Sequence, residues 1–128
     1  MFTPDEITAG RIAHAFGREL EIHNYQTNID LYSASLAVMP DGEWPEALAP
    51  FAATKIDDLP EAMPDDDVAL VSSWQHRDRL RRLLRTERAE MAKSMLVLDV
   101  LKGQIGPDYP ELLAAFKAEK AEQAAQTP

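Results

Sequence analysis

The sequence predicts an all-α protein built on a long antiparallel two-helix hairpin. Residues 4–39 and 66–105 both carry apolar side chains at helical spacing, and after the first position neither stretch contains a proline. A proline-rich segment, residues 40–64, separates the two stretches, and a short helix over 110–122 follows them. Because each residue of an α-helix rises about 1.5 Å, both long helices extend for tens of ångströms and must pair along their length.

The start of the first helix has a strong local signature. Thr3 can cap the helix, Pro4 falls at its first position, and Glu6 completes a capping box with Thr3. The run Pro40-Asp41-Gly42 stops the helix after residue 39.

Apolar residues recur in alternating steps of three and four along the second half of the first helix, and an apolar face also follows the second helix. This pattern is typical of helices that pack on one another. We predict that these residues form the seam of the hairpin. On the first helix the seam comprises Ile22, Tyr25, Ile29, Tyr32 and Leu36, and on the second Leu80, Leu84, Met91 and Leu98.

The first half of the first helix is apolar on the other side. Ile12, Phe16 and Leu20 lie nearly opposite the seam if each residue turns about 100°. Either the helix bends near Gly17, or neighbours contact it on two sides. We favour the second alternative, which implies a homo-oligomer or a larger helical bundle.

The connection over residues 40–64 combines five of the nine prolines with Trp44, Leu48 and Phe51, so we expect it to dock on the helices, with a short helical turn over 45–49. With the start of the second helix it is strongly acidic. Its carboxylates, opposed only by Lys55, are Asp41, Glu43, Glu46, Asp57, Asp58, Glu61, Asp65, Asp66 and Asp67.

The second helix begins in Asp65-Asp66-Asp67, whose charges favour the positive end of the helix dipole, and Gly106-Pro107 ends it. In the last helix, residues 117–127 contain alanine and charged residues without an apolar stripe. We therefore expect this tail to be exposed and frayed, or ordered by a partner.

The second helix carries a ladder of arginines, with Arg77, Arg81, Arg85 and Arg88 on one face and Arg82 to its side. Three partners are open: the chain's own acidic crossover or a subunit contact, which we favour; an acidic protein; or nucleic acid phosphate. The formal net charge of −9 makes general nucleic-acid binding the least favoured.

Glu87 interrupts the apolar face of the second helix between Leu84 and Met91. We expect a buried polar residue that sets the register and pairs with an arginine or with Tyr25 or Tyr32. The alternative is a carboxylate with a raised pKa and a role in proton or ligand binding.

The sequence contains no recognisable catalytic or metal motif. Glu19 and His23 share a helical face, but no Glu-x-x-His pair occurs, and the five glycines are too scattered for a phosphate loop. We predict no enzyme activity, metal or cofactor.

A chain of 128 residues predicts a single helical domain over 1–128. The lack of cysteine fits a reducing compartment, and no apolar run is long enough for a membrane span. We predict a cytoplasmic location, or a virion if the chain comes from a phage.

The leading functional hypothesis is a structural or protein-interaction module of a homo-oligomer or larger assembly, such as a phage or prophage particle. One alternative is a small regulator that binds nucleic acid or an acidic protein through residues 77–88. Another is a bundle that binds a metal or ligand through Glu87, Glu19 and His23.

Overall fold

The computed structural model describes residues 1–126. These residues form helices joined by turns and irregular segments, without any strand. The α-helices are α1 (Pro4–Ala37), α2 (Asp65–Ile105) and α3 (Tyr109–Gln126), with 3-10 helices at Ala49–Phe51 and Ile56–Asp58. Segments of α1 and α2 pack antiparallel, which confirms the all-α hairpin with its acidic crossover and short C-terminal helix.

The helix α1 begins where the capping box predicts. The Glu6 backbone N–H donates to Thr3 Oγ1 at 3.1 Å, and the Thr3 hydroxyl also lies 3.1 Å from Glu6 Oε1. The helix runs without interruption through Gly17 and ends at Ala37, two residues before the predicted boundary.

The crossover is folded rather than extended. Backbone N–H groups of Leu48 and Ala49 both donate to the Pro45 carbonyl at 2.9 Å, which forms the predicted turn and leads into the first 3-10 helix. Gly42 has a φ of 88°, a left-handed conformation that glycine adopts without steric cost.

The helix α2 includes all three aspartates of its predicted start, and the N–H groups of Asp67 and Val68 donate to Pro64. It ends at Ile105 because Gly106 takes a φ of 92° and donates its N–H to the Lys102 carbonyl at 2.9 Å. This is the glycine termination that the sequence predicts.

The helix α3 is longer than predicted and continues through Gln126 rather than fraying. Alanine, lysine, glutamate and glutamine all have high helix propensity, and Gln123 donates to Glu119 one turn away at 3.4 Å. The side chains of residues 117–126 are exposed, as expected. Thr127 of the predicted tail and Pro128 lie outside the described residues.

The chain separates into two compact units, and both long helices contribute a segment to each. The first unit combines residues 1–27 with the chain from Arg88 onward, and the second comprises Asn28–Glu87. The prediction of one domain stays a prediction.

The core of the first unit is formed jointly by α1, α2 and α3. Phe16 and Phe116 extend it with their ring centroids 5.2 Å apart. Its buried residues are Ile12, Ala15, Leu98, Leu101, Tyr109 and Leu113.

The apolar residues opposite the seam of α1 therefore have an intramolecular explanation. Ile12 and Phe16 pack in a cluster to which α3 contributes Phe116, while Leu20 is 50% exposed. The second neighbour of α1 is a helix of the same chain, so this pattern does not require another subunit. Association into an oligomer stays a prediction.

The core of the second unit lies between the crossover and the first turns of α2. Leu48, Leu59 and Val71 are buried, with Trp44 and Phe51 packed against them. The apolar residues of the crossover dock on α2 as predicted, and they hold the crossover close to the arginines of that helix.

Candidate functional site

Arg77 is buried in the second unit, with only 3% of its surface exposed. Its Nη1 donates to the carbonyl oxygens of Gly42 at 2.6 Å and Pro40 at 3.2 Å. Its guanidinium carbon lies 4.1 Å from the centroid of the Trp74 ring, within the range of a cation–π contact. Arg77 therefore fastens the start of the crossover to α2.

Asp78 completes this arrangement. Its Oδ1 accepts from Arg77 Nη2 at 3.2 Å and Nε at 3.4 Å, and its Oδ2 accepts from Trp44 Nε1 at 2.8 Å. The Trp44 and Trp74 rings lie 5.9 Å apart. Both oxygens of the carboxylate are therefore engaged inside the unit.

The other arginines of the predicted ladder, Arg81, Arg82, Arg85 and Arg88, are exposed. The ion pairs of residues 1–126 include Arg18–Glu21, Arg77–Asp78 and Lys117–Glu19. None joins the ladder to a crossover carboxylate. Arg77 instead binds the crossover through main-chain carbonyls, and the other arginines are exposed. Neutralisation of the ladder by the crossover or by a subunit contact stays a prediction.

The ladder also divides into separate surfaces. At about 100° per residue, Arg81, Arg85 and Arg88 follow one exposed row of α2, whereas Arg79 and Arg82 follow another. Arg88 belongs to the first unit, and the rest to the second. Arg79 is not one of the predicted ladder residues, although Gln75, Arg79 and Arg82 stand at helical steps of four and three.

The row of Arg79 and Arg82 borders a groove of about 460 Å³ in the second unit. The crossover supplies one wall and α2 the other. Its lining residues are Ala52, Ala53, Thr54, Lys55, Ile56, Gln75, Asp78, Arg79 and Arg82.

Gln75 holds the two walls of this groove together. Its Nε2 donates to the carbonyl oxygens of Phe51 at 3.1 Å and Thr54 at 2.6 Å. These bonds fix the crossover segment that carries Lys55 relative to the helix that carries Arg79. The groove is therefore bounded by backbone held in place on both sides.

Glu87 is half-buried rather than fully buried, and its Oε2 accepts from Asn28 Nδ2 at 3.3 Å. The contact joins α1 and α2 within the second unit. That Glu87 sets the register of the two helices stays a prediction. This bond comes from the amide of Asn28, whereas we expected an arginine or a tyrosine.

All side chains of the predicted seam are at least half-buried. Leu83 and Met95 belong to the same apolar pattern of α2 but lie outside the buried seam, since they are 39% and 47% exposed. The buried seam residues are Ile29, Leu80, Leu84 and Leu98, and the half-buried ones are Ile22, Tyr25, Tyr32, Leu36 and Met91.

A polar cluster that the sequence analysis missed joins α1 and α2 in the first unit. Ser94, 2% exposed, donates to Glu21 Oε2 at 2.9 Å and accepts from Arg18 Nη1 at 3.3 Å. Arg18 also binds Glu21 directly at 3.1 Å. A small serine in an apolar helical pattern is the only sequence signal for this cluster.

Glu19, considered above as a metal ligand, instead binds α3. Its Oε1 accepts from the Tyr109 hydroxyl at 3.2 Å, and its Oε2 lies 3.1 Å from Lys117 Nζ. Burial, followed by the charge and the hydrogen bond of Glu19, raises the pKa of Tyr109 to about 12.

His23, its proposed partner, is exposed. Among residues 1–126, no three His, Cys, Asp or Glu side chains lie close enough to hold a metal ion. In the same range no helix has the length and apolar character to cross a lipid bilayer.

No protein-family model, curated protein or solved structure matches this chain. Any function must therefore be inferred from the chain's own geometry. That geometry offers two exposed rows of arginine on α2, an acidic crossover and a groove lined with cations.

Proposed function

We propose that this protein is a non-enzymatic interaction module that associates with further copies of itself through complementary charges. The observation that carries the proposal is the separation of unpaired charges within the second unit. Arg81 and Arg85 are exposed on α2, the crossover carboxylates are exposed or half-buried, and no ion pair between them occurs in residues 1–126.

A second copy of the chain provides an acidic surface for the exposed arginines and a basic surface for the acidic crossover. The acidic crossover of one copy can pair with Arg81 and Arg85 of the other, and a two-fold arrangement satisfies both sets of charges at once. Complementary potentials of this kind favour encounter and fix the orientation of the partners. The crossover is the natural acidic surface for this role because its opposing charge is limited to Lys55.

Exposed apolar side chains support an association role. In the second unit, Leu31 of α1 is 61% exposed, and Val38, directly after the end of α1, is 86% exposed. In the first unit, Leu96 and Val100 are 68% and 60% exposed at neighbouring turns of α2. Apolar residues grouped in this way are typical of surfaces that a partner covers.

The proposed setting is a subunit or accessory factor of a larger assembly. A chain without cysteine fits a reducing cytoplasm, and a virion is the corresponding setting for a phage-derived subunit. Cell fractionation of a tagged chain tests the setting separately from the association.

The test is the solution mass measured by light scattering and sedimentation as salt rises from about 0.01 M to about 1 M. We expect a mass above the 14.3 kDa of one chain at low salt and a shift towards it at high salt. The double variant Arg81→Glu/Arg85→Glu should remain at 14.3 kDa at low salt.

The matched control is Lys120→Glu, which reverses the charge of an exposed cation on α3 of the first unit, outside the surfaces proposed for association, and should associate normally. Mixing the arginine variant with Asp57→Lys/Asp58→Lys should restore a complex that neither forms alone. A wild-type protein that stays at 14.3 kDa throughout refutes the proposal. If the two mixed variants form no complex, the assignment of the basic and acidic surfaces is wrong.

A further inference from the structure

We propose that the groove between the crossover and α2 binds a phosphate group, either free or carried by a small molecule. The site is defined by Lys55 on the crossover and by Arg79 and Arg82 on α2. It uses none of the charged side chains assigned to the self-association proposed above, although the crossover takes part in both, so the two proposals are tested by different variants.

The charge of the groove is positive although the chain as a whole is acidic. Lys55, Arg79 and Arg82 make no ion pair within residues 1–126. The one carboxylate in the lining, Asp78, accepts hydrogen bonds from Arg77 and Trp44, and the buried Arg77 balances its charge. The remaining charge of the lining therefore belongs to the three cations.

The chemistry of the lining favours phosphate over a single carboxylate. Each guanidinium presents a planar fork of donors that matches two oxygens of a phosphate, and the lysine ammonium adds a point charge. A phosphate carries several oxygens and about −1.5 to −2 charges near neutral pH, enough to contact three cations together. The Thr54 hydroxyl is a further hydrogen-bonding group in the lining.

The size of the groove indicates a small ligand. About 460 Å³ lies within the range of sites for small molecules, and Ala52 and Ala53 leave the space open. Ile56, 39% exposed, gives one apolar contact for a carbon skeleton. The lining contains no aromatic ring on which a nucleobase could stack, so a compact phosphorylated molecule fits better than a nucleic acid.

The backbone that carries the cations is held in place before any ligand arrives. The two bonds from Gln75 fix the Phe51–Thr54 backbone against α2, immediately before Lys55 in the chain. A phosphate bound in the groove would therefore contact both walls without first ordering the crossover. This limits the entropic cost of binding.

The experiment is calorimetric titration of the full chain with inorganic phosphate and with glycerol 3-phosphate, using sodium chloride at equal ionic strength as the reference. We expect one site per chain for at least one of the two phosphate compounds. Arg79→Gln and Arg82→Gln should each lower the affinity about tenfold or more, since each removes charge-assisted hydrogen bonds.

Arg85→Gln is the matched control, because it removes an exposed arginine of the same helix outside the groove, and its affinity should equal wild type. A tighter glycerol 3-phosphate complex would mean that the carbon skeleton is also recognised, and equal affinities that the anion alone is. No heat beyond the chloride reference, or equal loss in the Arg85 and Arg82 variants, overturns the proposal.

Self-association and phosphate binding can fail separately. Arg81→Glu/Arg85→Glu should lose association and keep a specific phosphate site. Arg79→Gln should keep association and lose phosphate. Nuclear magnetic resonance of the Gln75 side-chain amide, which lines the groove, localises the bound anion and identifies binding elsewhere.

Discussion

Replacement of Arg77 by methionine should destabilise the protein far more than the same change at any other arginine of the ladder. Methionine keeps much of the apolar stem but removes every donor. The carbonyl oxygens of Pro40 and Gly42 lose their bonds of 3.2 and 2.6 Å, and the Trp74 ring loses its cation. Asp78 keeps only the bond from Trp44.

The size of the loss follows from the burial. A hydrogen bond to a charged group contributes about 1.5–3 kcal/mol, and the cation–π contact adds about 2 kcal/mol when desolvated. Removing the buried guanidinium recovers its desolvation cost but leaves Asp78 without its counter-charge. Breaking one side of a buried ion pair typically costs about 3–5 kcal/mol. Because the Asp78 side chain is 31% exposed and partly screened by water, we expect about 3 kcal/mol, the lower end of that range.

Urea unfolding followed by helical circular dichroism and tryptophan fluorescence measures this loss. At an m value of about 1–3 kcal/mol per molar, the midpoint should fall by roughly 2 M. Arg81→Met, at an exposed position, should change stability by about 0.5 kcal/mol or less. The urea midpoint of Arg77→Lys should lie between those of Arg77→Met and Arg81→Met. This variant provides a measurable midpoint if Arg77→Met does not fold. Equal midpoints for Arg77→Met and Arg81→Met would show that the buried contacts do not stabilise the unit.

Three other predictions concern the first unit and the end of α2. The pKa of Tyr109 is raised from 10.0 to about 12, so the folded state holds this proton more tightly. The contribution of this proton to the free energy of unfolding should therefore be fully present below pH 10 and fall by about 2–3 kcal/mol between pH 10 and pH 12. Urea unfolding should show this loss in wild type but not in Tyr109→Phe. Ser94→Ala should cost about 1 kcal/mol in the same assay through its lost bonds to Glu21 and Arg18, and no change would contradict the cluster. Gly106→Ala should destabilise the protein by about 1 kcal/mol because Gly106 has a φ of 92°. Gly103→Ala, inside the helix with open space around it, should instead stabilise the protein by about 0.5–1 kcal/mol. If both variants changed stability in the same direction, this explanation of the two glycines would be wrong.

The hydrogen bond between Asn28 and Glu87 shows what the spacing of apolar residues in a helix can predict and what it cannot. The spacing of the apolar residues indicated that Glu87 lies in the packed face, and the structure places it there in a bond to α1. The identity of its partner depends on the relative register of two helices far apart in sequence. Neither helix alone determines that register, so the amide of Asn28 could not be chosen over a tyrosine.

The sequence alone determined the features that depend on neighbouring residues. Thr3 and Glu6 specify where α1 starts, Gly106 specifies where α2 ends, and the spacing of apolar residues specifies which faces pack. These features depend on backbone geometry and local hydrogen bonds, which a few consecutive residues control.

Only the tertiary structure decided which arginine is buried and which helix covers the far side of α1. Arg77 and Arg81 are one turn apart in the same pattern, yet Arg77 binds carbonyl groups more than thirty residues away and Arg81 is exposed. Phe16 meets Phe116 across a still longer separation. The physical reason is that charge burial depends on acceptors brought close by the folding of distant segments, and no local spacing encodes where those acceptors will lie.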